Sequence, residues 1–154
     1  MSMLARGVAG LGVTALCVAG VAVANGHGIE QRESADGIEM VDQRLRETLE
    51  ARGMTLVTVI DHKANAANVD RELPPTRTYV FGNPDVGTPM MQCQGSMALD
   101  LPQKMVVREA DGSTLIEWNH PEYLAERHGL ADCELPLDKV ADALTAIATD
   151  AAGQ

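Results

Sequence analysis

Aromatic side chains are scarce in this sequence, which has one phenylalanine, one tryptophan and two tyrosines among its 154 residues. A pocket that holds a planar cofactor by ring stacking needs several such side chains. Their scarcity argues against an aromatic cofactor cradle. Methionine and aliphatic side chains are therefore the predicted lining of any binding site.

The standard catalytic motifs are absent as well. The sequence contains no G-x-S-x-G, no Walker loop, no G-x-G-x-x-G, no H-E-x-x-H and no C-x-x-C. These are signatures of hydrolases, nucleotide-binding proteins, zinc proteases and thioredoxin-like proteins. Without C-x-x-C-H, ordinary covalent attachment of haem is excluded too. A binding protein is thus favoured over an enzyme, although His62 with Asp61 or Glu72 could form an acid/base pair.

Basic residues are few: 12 lysines and arginines stand against 22 acidic residues, a net charge of −10. Proteins that bind nucleic acid obtain much of their affinity from basic side chains that neutralise phosphates. The acidic balance therefore argues against nucleic acid as a partner. It argues equally against binding to an anionic membrane surface.

Charge is almost missing from the first 24 residues, in which Arg6 is the one charged side chain. The apolar run from Val8 to Ala24 ends in Ala-Val-Ala, which matches the A-x-A pattern of a signal-peptide cleavage site. We predict a cleaved signal peptide over residues 1–24 and a periplasmic or otherwise exported protein, with no membrane attachment after cleavage. A retained anchor is the alternative, although a run of this length is short for crossing about 30 Å of hydrocarbon.

Cleavage would leave two cysteines, Cys93 and Cys133. An even pair in an exported chain is a candidate disulfide. In the chain-entropy model, a bond that closes the loop between Cys93 and Cys133 would stabilise the fold by about 3–4 kcal/mol. Two independent thiols are the alternative.

The rest of the sequence predicts a polar leader over residues 25–37 and one domain over residues 38–150. Apolar residues spaced three and four apart indicate helices, β-branched runs indicate strands, and Asp111-Gly112 indicates a hairpin. The order of elements predicts an α+β fold, a small and mostly antiparallel sheet packed with helices in two layers. The predicted helices are 38–52, 62–73 (capped by Asp61), 86–94 (capped by Thr88), 120–128 and 137–149, and the predicted strands are 54–60, 76–81, 104–109 and 113–118.

Side chains that can ligate a metal or haem accumulate in the domain. Met90 and Cys93 lie three residues apart and share a helical face. His62 follows a predicted strand, where an imidazole can bind a metal or move a proton near neutral pH. The alternatives are that the methionines fill the core, that His62 caps a helix, and that His128 is solvated.

Two distinctive motifs are F-G-N-P at residues 81–84 and G-T-P-M-M-Q at residues 87–92. They are accompanied by I-D-H-K-A-N-A-A, E-L-P-P-T, L-D-L-P and Y-L-A-E-R-H, in that order along the chain. Together, over roughly residues 53–148, these segments resemble the domain of unknown function family numbered 302. The resemblance implies a small α+β sandwich that pairs into a homodimer, and it implies no reaction. Cys93 and His120 look like departures from the family pattern.

The end of the strand before His62, the turn at residues 81–84 and the helix start at Thr88 are expected to converge at one edge of the sheet. Apolar walls and free backbone N–H groups after Thr88 would then suit an anionic organic ligand. The side chains predicted to bind this cofactor or ligand are His62, Phe81, Asn83, Met90 and Met91.

Cleavage after Ala24 would also create the N-terminus Asn25-Gly26-His27. Its amine, two deprotonated amides and the imidazole of His27 can surround Cu(II) in a square plane. The candidate metal ligands are therefore His27, His62, Met90, Met91, Cys93 and His128.

Three functions follow as hypotheses. The first is an exported, dimeric protein that holds haem b non-covalently for carriage or electron transfer, because His, Met and Cys all serve as axial ligands. The second is a copper or soft-metal handling protein, which requires Cys93 to be a free thiol. The third is a structural or partner-binding dimer without a cofactor.

Overall fold

A five-stranded antiparallel sheet with helices packed on it forms the fold in the computed structural model, which describes residues 27–154. The α+β prediction is confirmed, whereas the predicted signal peptide lies outside the described residues. In chain order the elements are β1 (Ile29–Ser34), α1 (Ile38–Ala51), β2 (Thr55–Asp61), α2 (His62–Ala67), β3 (Thr76–Gly82), α3 (Pro84–Cys93), a 3₁₀ helix (Gly95–Leu99), β4 (Gln103–Ala110), β5 (Ser113–Asn119), α4 (Pro121–His128) and α5 (Leu137–Ala152).

The strand order is β1-β5-β4-β3-β2, and helices α1 and α5 pack on one face of the sheet. The apolar residues that predict α1 recur every three or four positions, which gives the helix one buried stripe. Strand residues at every second position bury their side chains against that stripe. The largest fully buried side chains of this core are Leu45, Leu49, Tyr79, Phe81, Met105, Ile116 and Ile147.

Strand β1 lies within the segment predicted to be a polar leader. Its sequence lacks alternating apolar residues, so it gives no strand signal. Pairing with β5 along its whole length holds it at the sheet edge. The hydroxyl of Ser34 adds a buried hydrogen bond of 2.9 Å to the carbonyl of Ala152. Tertiary contacts, rather than local propensity, therefore form this strand.

Helices α2, α3 and α5 differ from their predicted bounds by two or more residues, and α5 continues to Ala152. Helix α2 ends at Ala67, because Asp70 adopts a φ of 54° and the chain turns before the two prolines. Helix α3 begins at Pro84, and its N-cap is Asn83, whose side-chain oxygen accepts a 2.9 Å hydrogen bond from the Asp85 amide. The prediction that Thr88 caps this helix is wrong, since Asn-Pro is the stronger start signal.

A polar cluster joins α1 to β3 at the edge of the core. The hydroxyl of Tyr79 donates to the carboxylate of Asp42, which also accepts from Arg46 at 3.0 Å. Arg77 donates to Glu39 at 2.6 Å. Burial raises the pKa of the Asp42 carboxyl, but the hydrogen bonds from Arg46 and Tyr79 outweigh it, so the net pKa is lowered from 3.8.

Replacement of Asp42 by Asn is expected to lower the free energy of unfolding at pH 7 by about 1–2 kcal/mol, because charged hydrogen bonds are the stronger ones. A carboxyl with a lowered folded-state pKa stabilises above its unfolded pKa, and this contribution disappears as the pH falls through the folded-state pKa. Urea unfolding of both proteins from pH 7 to about pH 3 should therefore show the difference shrinking with acid.

The control is Asp150→Asn, which removes a carboxylate paired with Arg52 at an exposed position. Exposed pairs contribute about 0–1 kcal/mol, so this variant should stay close to wild type throughout. A difference between wild type and Asp42→Asn that is independent of pH would contradict the assignment.

Candidate ligand-binding cavity

A cavity of about 510 Å³ opens where the ends of β2 and β3 meet α3 and α5. Most of its wall is apolar. Six of the lining side chains come from four separate segments, Met54, Phe81, Met90, Met91, Val140 and Leu144. Its volume is within the range of about 300–1,000 Å³ that small-molecule sites occupy.

The F-G-N-P motif forms one corner of this cavity. Phe81 is fully buried at the end of β3, and Asn83 starts α3 directly after it, so Met90 and Met91 follow two turns later on the same wall. The motif therefore has a structural reason, since it turns the chain and brings α3 beside the strand.

The electrostatic character of the lining differs from that of the whole protein. The chain carries 22 acidic residues, yet none of the lining residues is acidic. The lining contains one cation, Lys139, which is exposed near the start of α5. Its other polar members, including Thr55, Thr88 and Gln103, are neutral.

His62 lies away from this cavity, so its predicted convergence with the F-G-N-P turn is wrong. Its Nε2 lies 2.8 Å from the Thr78 hydroxyl. Because β2 and β3 are antiparallel, Asp61 pairs with Arg77, whereas Thr55 pairs with Gly82 at the cavity end. At a rise of about 3.3 Å per residue, the five steps from Arg77 to Gly82 separate the two places by roughly 17 Å.

The start of α3 does not offer the free N–H groups that the sequence predicts after Thr88. The amides of Val86 and Gly87 donate to the Asn83 carbonyl at 3.0 Å, and the Asn83 side chain accepts from Asp85. Thr88 lies inside the helix, with Pro89 after it. Four of the predicted site residues nevertheless line the cavity: Phe81, Asn83, Met90 and Met91. The side-chain oxygen of Asn83 already accepts the N-cap hydrogen bond from Asp85.

A disulfide joins Cys93 at the end of α3 to Cys133 in the loop before α5, with the Cα atoms 6.3 Å apart. Both residues pack against a small apolar cluster that contains Met90 and Leu130. The predicted pairing is therefore present. As a consequence, Cys93 has no thiolate to offer a metal, which removes one of the predicted ligands.

His128 is held by two partners that the sequence analysis did not identify. Its Nδ1 lies 2.9 Å from the Ser96 hydroxyl, and its Nε2 lies 2.6 Å from the Asp100 carboxylate. Only 4% of its side chain is exposed. Both ring nitrogens thus have hydrogen-bond partners in the protein, so the interpretation of a solvated surface histidine is wrong. Asp100 lies 28 positions away, and no sequence spacing connects the two.

His27 is exposed ahead of β1, and Asn25 and Gly26 lie outside the described residues. The predicted metal ligands therefore do not gather at one centre. Within residues 27–154, no group of three or more His, Cys, Asp or Glu side chains could hold a metal ion. The same part of the chain includes no helix that is long and apolar enough to cross a bilayer.

The fold and the cavity define an α+β domain with an apolar pocket of ligand size. The chain belongs to the DUF302 family, a domain of unknown function, whose model matches residues 30–151. A similar solved structure is the uncharacterized conserved DUF302 protein from Bacillus stearothermophilus, with a TM-score of 0.74 and 17% identity over 80% of this chain and 98% of that one.

Curated relatives include fluoride-specific ion channels of Brucella. FluC 1 of Brucella suis is 35% identical over 104 residues, which cover 67% of this chain and 41% of that protein. FluC 1 of Brucella abortus and FluC 2 of Brucella melitensis match equally over 38% of their lengths. The chain thus spans about two-fifths of the length of the curated relatives it matches.

Proposed function

We propose that this protein is an exported ligand-binding protein and that the cavity beside the F-G-N-P turn is its binding site. The cavity of about 510 Å³ is the observation that carries the proposal. Most of its wall comes from β2, β3, α3 and α5, which are elements of the sheet and its supporting helices. A wall made of regular elements favours a largely preformed site.

Transfer of apolar surface out of water supplies the affinity in such a site. Each Å² of apolar surface that a ligand buries contributes about 25 cal/mol. Met54, Met90 and Met91 add flexible thioether side chains, which adjust to irregular ligand shapes. An apolar organic molecule is therefore the favoured class of ligand.

The disulfide supports the proposed export. Structural disulfides persist in oxidising compartments and are rare in reducing ones. The bond between Cys93 and Cys133 agrees with a periplasmic or otherwise extracytoplasmic location. A homodimer remains part of the proposal, and light scattering coupled to size-exclusion chromatography tests it.

Haem b is the specific ligand that the donor atoms suggest. Thioethers serve as axial ligands to haem iron, and Met90 and Met91 both line the cavity. Haem at this place would take its axial donor from one of these methionines, not from His62. Copper is the alternative, and it would also rest on the thioethers, since Cys93 is disulfide-bonded and His128 is occupied.

Titration with neutral N-phenyl-1-naphthylamine tests whether the cavity binds an apolar molecule, and titration with haemin tests whether haem is the ligand. We expect enhanced fluorescence of the naphthylamine and a Soret shift for haemin. Met90→Leu with Met91→Leu should alter the Soret band while retaining naphthylamine binding, because leucine keeps the apolar volume.

The control for this titration is Met97→Leu, since Met97 is buried like Met90 but does not line the cavity. His62→Ala should leave both signals unchanged. Absence of a Soret shift would contradict haem as the ligand, but it would not contradict ligand binding in the cavity. Failure of the neutral probe to bind would contradict ligand binding in the cavity.

A second candidate function comes from the channel relatives. At most 26 of the 104 matched residues precede residue 27, so at least 78 (104 − 26) belong to the described fold. That fold has no membrane-spanning helix, so the match favours an extramembrane part of the Brucella proteins. We propose as an alternative that this domain acts together with a fluoride channel.

Deletion of the gene tests this alternative. Cells that lack the protein should become more sensitive to fluoride, and co-expression with a fluoride channel should allow the two proteins to be co-purified. Unchanged fluoride tolerance together with no co-purification would contradict it.

A further inference from the structure

We infer that the ligand of the cavity carries a carboxylate, which Lys139 holds at the cavity mouth while the apolar body of the ligand fills the interior. This inference rests on the proposed ligand binding and adds the chemical class. Fatty acids and tetrapyrrole propionates share this chemistry.

Lys139 is an unpaired cation among the lining residues. Within the described part of the chain, no carboxylate lies at ion-pair distance from it. Lys104, in contrast, donates to the carbonyls of Asp100 at 2.8 Å and Pro102 at 3.1 Å. The absence of acidic residues from the lining makes Lys139 the one charged side chain of the cavity wall, while Asp138 and Asp142 lie near it on α5 outside the lining.

The position of Lys139 in α5 also disfavours a merely structural role. It is the third residue of a helix that begins at Leu137, where the helix dipole presents its positive end. The dipole repels a lysine at this position, whereas a nearby anion is attracted by both the dipole and the lysine ammonium group. The lysine therefore gains no stabilisation from the helix dipole, and a bound anion would relieve the repulsion.

A carboxylate on an apolar molecule suits this cavity, because the charged group can stay at the mouth while the apolar body enters the interior. A charge that enters an apolar interior without a partner costs a large desolvation free energy. Lys139 is exposed, so a carboxylate beside it keeps contact with water and gains a charged hydrogen bond. The alkyl or macrocyclic body then points inward, against Met54, Met90 and Leu144.

Competition against N-phenyl-1-naphthylamine with dodecanoate and dodecanol, at concentrations below micelle formation, tests the inference. The two compounds share a chain and differ in the headgroup. We expect wild-type protein to bind dodecanoate about tenfold more tightly than dodecanol, as a charged hydrogen bond allows. Lys139→Gln should abolish this preference without weakening dodecanol.

Lys63→Gln is the matched control, because Lys63 is an exposed lysine on α2 outside the cavity lining and its loss changes the net charge equally. Lys139→Glu should reverse the preference, so that dodecylamine displaces the probe better than dodecanoate. Haemin compared with its dimethyl ester distinguishes a tetrapyrrole from a fatty acid as the source of the carboxylate.

Equal affinity of wild type for dodecanoate and dodecanol would overturn the inference while leaving ligand binding intact. The same holds if Lys63→Gln removes the preference as strongly as Lys139→Gln, since the effect would then be one of net charge. Failure of every compound and of the probe to bind would overturn the proposed function itself.

Discussion

Ala143→Trp is expected to weaken binding of N-phenyl-1-naphthylamine by roughly 100-fold, which corresponds to about 2.7 kcal/mol. Ala143 lines the cavity from α5, so a tryptophan side chain would occupy the space that a ligand needs. The cavity has room for the tryptophan side chain, so we expect the free energy of unfolding to change by less than about 1.5 kcal/mol. Fluorescence titration and urea unfolding measure the two quantities.

Ala146→Trp is the matched control for this variant. Ala146 is a half-buried alanine on the same helix and does not line the cavity. It should retain wild-type affinity. Equal affinity of Ala143→Trp and wild type would mean that the probe binds outside this cavity.

Removal of the disulfide by Cys93→Ala with Cys133→Ala is expected to lower the free energy of unfolding by about 4 kcal/mol in the chain-entropy model. The bond closes a loop of 40 residues that includes β4, β5 and α4. Ligand affinity should fall as well, because α3 loses its tether to the segment before α5. Urea unfolding with and without dithiothreitol gives the measurement.

The double variant itself provides the internal control for reduction. Dithiothreitol should destabilise wild type by a similar amount and leave the variant unchanged. If dithiothreitol has no effect on the wild-type unfolding curve, Cys93 and Cys133 are not joined in solution, and the soft-metal hypothesis regains its thiolate.

Local signals in the sequence were sufficient for much of the fold. Helix α1 follows from the spacing of its apolar residues, and the β4–β5 hairpin follows from Asp111-Gly112, whose φ angles of 52° and 85° suit a two-residue turn. Strand β1 could not be predicted, because a polar edge strand depends on its partner and carries no periodicity of its own.

Some residues of the candidate site could likewise be predicted from the sequence, and others could not. Phe81, Asn83, Met90 and Met91 are close in sequence, so one motif places them together, and the structure puts all four at the cavity. Lys139 could not be associated with them, because it is contributed by α5, whose position depends on packing against α1. The error for His62 comes from strand pairing. The sequence predicted a mostly antiparallel sheet but not which strands are neighbours, and the antiparallel pairing of β2 with β3 places the end of β2 away from the turn.

The most direct test of ligand binding in this cavity is methyl NMR of methionine-labelled protein titrated with dodecanoate. Met54, Met90 and Met91 line the cavity, whereas Met40, Met97 and Met105 do not, so the chain contains its own controls. Saturable shifts of the first three methyl resonances with the other three unchanged are the predicted result. Shifts that avoid Met54, Met90 and Met91, or no shifts at all, would contradict a binding site beside the F-G-N-P turn.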